Sequence, residues 1–97
     1  MEIHNQEKMT LNEMKLIIQF DFTNEKMFKL INCLYYLDWK TLIELKKYIS
    51  SKITELIERI IFNNVNNNIS KINLEKYCKI EESILNIIKN YIISKNL

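Results

Sequence analysis

The sequence predicts a small all-α protein, a bundle of four to five helices with room for one short N-terminal strand. Three observations carry that expectation. The 97 residues include no Gly, no Pro and no Ala. Tight turns normally take Gly or Pro, and β-rich folds need many of them, so this chain must turn on Asn, Asp and Ser at a few places only. Apolar residues recur at steps of three and four over long stretches, the signature of amphipathic helices. Apolar residues make up 47% and charged residues 27%, a globular balance, and the length suffices for one modest core that buries roughly two-thirds of the unfolded surface. Residues 1–8 carry no such pattern and are expected to form a disordered leader, followed by a single helical domain over residues 9–97.

Each element has its own signal. Thr10-Leu11-Asn12-Glu13 has the S/T-x-x-E form of a capping box and opens a short helix. The stretch Lys15 to Phe22 ends in apolar–polar alternation, so a strand competes with a helix there. Thr23 is an N-cap with Glu25 in the first turn, where the helix dipole favours negative charge, and Met27, Leu30, Ile31 and Leu34 follow at helical spacing to about Tyr36 or Leu37. Asp38 is the next N-cap. Behind it Leu42, Leu45, Ile49, Ile53, Leu56 and Ile60 line one stripe, while Lys40, Glu44, Lys47, Ser51, Glu55 and Glu58 take the other face and Glu44 precedes Lys47 by three residues. This helix reaches about Phe62, with Ser50-Ser51 as a possible break. The Asn-rich tract Asn63 to Asn68 ends it, Asn being a common substitute for Gly past a helix terminus. Asn73 is expected to cap a short turn through Tyr77, and Glu81-Glu82-Ser83 to start a last helix that buries Ile84, Leu85, Ile88, Tyr91 and Ile92. Residues 46–52 and 89–95 echo one another; two amphipathic helices in a restricted alphabet explain this better than a duplication.

The composition also limits chemistry. The abundance of Ile, Asn and Lys, with Gly, Pro and Ala missing, reflects AT-rich coding, as in a large DNA virus, a protist or an AT-rich bacterium. Net charge is +2 with Lys and Glu interspersed, which makes no clustered basic face for nucleic acid. No apolar run is long enough to span a membrane, and the first residues do not read as a signal peptide. An intracellular, cytoplasmic protein is expected. Cys33 and Cys78 lack metal or redox spacing and sit in apolar helical contexts, where Cys acts as a small hydrophobe; a disulfide is the alternative. The single histidine, His4, falls in the leader, so neither a metal site nor a nucleophile–base pair has its parts. A phosphate-cradling loop needs Gly. Glu81-Glu82 are adjacent, and neighbouring helix residues point apart. No enzyme activity and no cofactor are expected.

What remains is aromatic. Tyr35, Tyr36 and Trp39 bracket the turn between the two central helices, and such side chains join large contact area to a polar handle. The competing reading is that they pack the helix corner. It weighs more for Tyr36 than for Tyr35 and Trp39, because neighbouring aromatics cannot easily both face inward.

The run Met27 to Leu45 resembles the helical half of the BTB/POZ fold, most nearly the Skp-type adaptor of the SCF ubiquitin ligases, with elongin C as a cousin. That family writes the corner as an apolar helix, then Asn-Tyr-Leu-Asp-Ile-Lys-Gly-Leu-Leu, then a second helix. Phe28, Leu30, Ile31, Tyr36, Leu37, Asp38, Lys40 and Leu42 stand where the family has the same residue types. Asp21-Phe22-Thr23 resembles the stretch leading into that helix, and Thr54, Arg59, Phe62 and Asn63 resemble a later one, so the likeness covers about residues 21–63. Cys33, Leu34 and Tyr35 depart from the motif, and residues 1–22 are too few to encode the family's β-sheet half, so a full BTB sheet is not expected. The resemblance implies an adaptor acting on ubiquitin-ligase components, with a cullin or an F-box-like protein as partner; a viral protein working in the host cytoplasm is one form it could take. In the family the Asn-Tyr turn faces the cullin. Tyr36 carries that role over most directly, while Asp38 and Lys40 match the motif but have structural readings too. Tyr35, Tyr36, Asp38, Trp39 and Lys40 are thus the candidate partner-binding residues. Two alternatives stand beside this one: a structural protein that forms homo-oligomers through the stripe Leu42 to Ile60, and a small nucleic-acid binder using Lys40, Lys46, Lys47 and Lys52.

Overall fold

A computed structural model describes residues 8–20, 22–63 and 68–95. They form four helices and no strand: α1 (Leu11–Phe20), α2 (Asn24–Cys33), α3 (Trp39–Phe62) and α4 (Asn68–Lys95), with a 3₁₀ turn over Leu34–Tyr36 between α2 and α3. Of the sequence features named above, residues 1–7 of the leader with His4, Asp21, and residues 64–67 of the Asn-rich tract lie outside the described residues.

The first three helices begin where their capping residues stand. At α1 the capping box closes in both directions. The Glu13 N–H donates to Thr10 Oγ1 at 3.1 Å, and the Thr10 N–H donates to Glu13 Oε1 at 2.8 Å. Thr23 Oγ1 accepts the Lys26 N–H at 3.2 Å and opens α2. Asp38 Oδ1 accepts the Thr41 N–H at 2.8 Å and opens α3. Each cap satisfies an N–H that the first helical turn leaves without an internal partner.

The choice left open for Lys15 to Phe22 falls to helix as far as Phe20. Leu11, Met14, Ile17 and Ile18 share a face, and Met14 and Ile18 are fully buried. The alternation at its end is genuine but belongs to the joint between α1 and α2. Phe20 points to solvent, whereas Phe22 stacks on the Tyr77 ring with centroids 5.1 Å apart and planes 19° from parallel. The Phe22 carbonyl also accepts a hydrogen bond from Lys76 Nζ at 2.5 Å, so both anchors of this joint come from α4.

α3 runs unbroken through Ser50-Ser51. Ser50 spans two helices: its Oγ donates to Glu81 Oε2 on α4 at 2.5 Å and accepts from Lys46 Nζ at 3.2 Å. The helix ends at Phe62 as expected, by a different device. Asn63 adopts φ −107° and ψ 6° rather than a left-handed conformation, and its N–H closes on the Arg59 carbonyl at 3.1 Å.

α4 departs most from expectation. No turn ends near Tyr77 and no new helix starts at Glu81; one helix covers Asn68–Lys95. No Gly or Pro interrupts those residues, and Tyr77, Ile80, Ile84, Ile87 and Ile88 give a continuous inward stripe across the supposed break. The buried face shifts accordingly. Ile84 and Ile88 face the core as expected, Tyr91 is partly exposed, and Leu85 and Ile92 point outward. Cys33 is buried as a small hydrophobe, but Cys78 is exposed, and the two are not disulfide-bonded.

The helices stack in two layers. α3 and α4 pair lengthwise as an antiparallel hairpin, shown by Trp39 against Tyr91 at one end and Ser50 against Glu81 midway. α1 and α2 lie across one side of that hairpin, α1 packed on α3 and α2 on α4. One core fills the space between, built from Met14, Ile18, Met27, Leu30, Cys33, Leu34, Leu42, Leu45, Ile49, Ile80 and Ile84. The stripe proposed above for homo-oligomers is therefore taken up internally: Leu42, Leu45, Ile49 and Leu56 are buried within the chain itself.

Among the described residues, the Tyr48 hydroxyl is a buried polar atom with no hydrogen-bond partner. Two ammonium groups lie over its ring, Lys15 Nζ at 5.2 Å and Lys52 Nζ at 5.5 Å from the centroid. Tyr48→Phe keeps the ring for both cations and removes the orphan oxygen. It is expected to raise the unfolding free energy by about 1 kcal/mol in urea titrations, since an unsatisfied buried hydroxyl costs about 1–3 kcal/mol. A loss of stability would show that the hydroxyl has a partner.

Candidate interaction surface

The corner between α2 and α3 is fixed from within. Cys33 and Leu34 are buried, the Leu37 N–H closes the 3₁₀ turn on the Leu34 carbonyl at 3.2 Å, and Leu37 packs against the core. With its apolar residues drawn inward, the turn directs Tyr35 and Tyr36 to solvent, 73% and 59% exposed. The inward reading of Tyr36 is thereby corrected: Leu34 and Leu37 fill the corner instead.

Trp39, the first residue of α3, lies against Tyr91 near the end of α4. The ring centroids are 4.3 Å apart and the planes 50° from parallel, and Trp39 remains 41% exposed. Lys95 Nζ sits 5.6 Å from the Tyr91 centroid on the same helix end. The structure thus pairs Trp39 with Tyr91, which sequence reasoning assigned only to a buried stripe, while Tyr35 and Tyr36 stand exposed on the preceding turn. The antiparallel pairing of α3 and α4 is what brings Tyr91 there, and that pairing follows only once α4 is one helix.

Asp38 and Lys40 differ in kind from the aromatics. Asp38 is engaged as the α3 cap, and its hydrogen bonds from Thr41 hold the carboxyl below its ordinary 3.8, with Lys40 assisting. Lys40 is exposed beside it. Of the other lysines considered for nucleic acid, exposed Lys47 stands two turns along the same face of α3, whereas Lys46 and Lys52 are engaged elsewhere. Lys46 turns to Glu81 at 3.9 Å across the hairpin, and Lys52 pairs with Glu55 at 3.7 Å and covers the Tyr48 ring.

A concavity elsewhere on the fold was not legible in the sequence. The end of α1, the far half of α3 and the start of α4 enclose a groove lined by Phe20, Lys52, Glu55, Arg59, Ile69 and Tyr77 among others. Burial pushes the Tyr77 phenol up, aided by Tyr48. The Cys78 thiol is also raised, first by burial and then by Glu81 and Glu82, the direction opposite to nucleophile activation. Among the described residues, no three His, Cys, Asp or Glu side chains gather as metal ligands, and no helix is long and apolar enough to cross a membrane. No family model, curated protein or solved structure matches the chain.

The Asp38 cap sets a pH dependence with a definite sign. Its folded-state pKa is depressed, so its contribution is fully present above the ordinary 3.8 and is lost as pH falls through the lowered folded value. Asp38→Asn keeps a good capping residue but cannot titrate. Thermal melts followed from neutral pH into acid should show a smaller acid loss for the variant than for the parent. Parallel acid profiles would mean that the cap contributes no linkage.

Proposed function

We propose that this chain is a helical protein-interaction module, an adaptor, that anchors a partner protein on its aromatic corner. One observation carries the reading: two adjacent tyrosines stand exposed on a turn whose backbone is held by a buried Leu on one side and by a capped helix on the other. A backbone held in this way loses little conformational freedom on binding, and Tyr and Trp are among the residues most enriched in binding hot spots. Trp39, with Tyr91 beneath it, extends the apolar area, and exposed Lys40 supplies a charged rim that favours an acidic neighbour.

The resemblance to the Skp-type adaptors gives the proposal its first partners to try. It implies that Tyr36 faces a cullin and that the following helices meet an F-box-like protein, so the chain would act on ubiquitin-ligase components. The exposure of Tyr36 supports this reading, and so does the capped helix–turn–helix geometry about Asp38.

Titration calorimetry of the full chain against purified cullin and F-box proteins tests both levels. Binding to either is expected, with Tyr36→Ala and Trp39→Ala each weakening it by about tenfold or more while helicity by circular dichroism is unchanged. Binding that survives both substitutions intact would remove the corner as anchor. Failure to bind any of these proteins would remove the ubiquitin-ligase connection.

A further inference from the structure

We propose that the groove at the far end of the hairpin binds a small monocarboxylate with an apolar body, its carboxylate held by Arg59 and the Tyr77 hydroxyl. The groove has a volume of about 530 Å³, within the roughly 300–1,000 Å³ of small-molecule sites. Arg59 stands 20 residues beyond Trp39 on α3, about 30 Å along the axis. The groove shares no residue with the aromatic corner.

Three helices supply the parts. Lys52, Leu56 and Arg59 follow one another at helical spacing on α3, Phe20 comes from the end of α1, and Ile69 and Tyr77 come from α4. The stack of Tyr77 on Phe22 fixes its ring and so positions its hydroxyl. The Arg59 charge reaches that phenol and draws it down against the rise that burial imposes, so guanidinium and hydroxyl converge in the groove. Among the described residues, neither group has a hydrogen-bond or ion-pair partner. A guanidinium presents paired, planar N–H donors that match the two oxygens of a carboxylate, and a neutral phenol adds one more donor.

Charge decides which anion fits. Glu55 is the one acidic residue lining the groove, and Lys52 pairs with it at 3.7 Å. Arg59 is then the uncompensated charge, which matches a monoanion. A phosphate dianion would bring a second negative charge beside Glu55. The walls decide the rest of the ligand. An ion pair open to solvent holds little by itself, so apolar contact has to contribute. Buried Leu56 and the exposed side chains of Phe20 and Ile69 supply it, and covering them removes apolar surface from water.

An amide-resolved NMR titration of the full chain with hydrocinnamate tests the proposal. Saturable shifts are expected at Leu56, Arg59, Ile69 and Tyr77. Arg59→Gln should raise the Kd about tenfold or more, and Tyr77→Phe about threefold or more, at unchanged helicity. Arg59 is exposed and Tyr77→Phe keeps the ring on Phe22, so both variants retain the packing of the fold. Phenylpropanol, which lacks the charge, and acetate, which lacks the apolar body, should each bind far more weakly than hydrocinnamate, and so should inorganic phosphate. Hydrocinnamate that gives no saturable shifts in the groove would overturn the proposal. So would binding that Arg59→Gln leaves unchanged, or phenylpropanol, acetate or phosphate binding as tightly as hydrocinnamate. Tyr36→Ala leaves this site intact, so its failure and that of the aromatic-corner reading are separable.

Discussion

Between Asn68 and Lys95 nothing interrupts the backbone, and the 28-residue α4 that results is about 42 Å long. It lies lengthwise on α3, joined by Ile80 and Ile84 in the core, by the Ser50–Glu81 hydrogen bond at the middle and by Trp39 on Tyr91 at the end. The other elements take their places from this pairing. α1 and α2 are ten residues each, too short to hold themselves as isolated helices in water. They are stable because Met14, Ile18, Met27 and Leu30 bury against the hairpin, and because Phe22 and its carbonyl fasten their joint to Tyr77 and Lys76.

Covering a long hairpin on one side only has a physical cost. About half of a folded protein's surface is apolar in any case, but here the exposed side chains are large: Phe20, Phe28, Ile61, Phe62, Ile69 and Ile92 as well as the corner aromatics. They fall at separate places on the fold. The tyrosines of the 3₁₀ turn are the anchor proposed for another protein.

How much of this was legible beforehand depended on whether a signal was local. Thr10 with Glu13, Thr23 and Asp38 each act within one turn of chain, and all three caps stand where the residue types placed them. The α3 stripe was equally readable, because polar residues fill its other face. α4 was not. With Ile on several sides of the helix, Tyr77-Ile80-Ile84-Ile88 and Cys78-Leu85-Ile92 are both plausible stripes, and only contact with α3 and α2 selects the first. Ser50 and Glu81 each looked like punctuation in one dimension, as a break and a helix start, and they proved to be partners across the hairpin. The corner tyrosines were grouped correctly, but the outward turn of Tyr36 depended on Leu34 and Leu37 filling the space beneath it.

The continuity of α4 through its middle is thus the claim on which the pairing of α3 and α4 rests, and site-resolved amide hydrogen exchange examines it directly. Slow exchange should extend without a gap from about Asn73 to Ile88, with Tyr77 to Glu82 as protected as the amides of α3 around Ile49. Fast exchange confined to Tyr77 to Glu82, with protection resuming beyond Ser83, would mean two helices joined by a turn and would contradict the account.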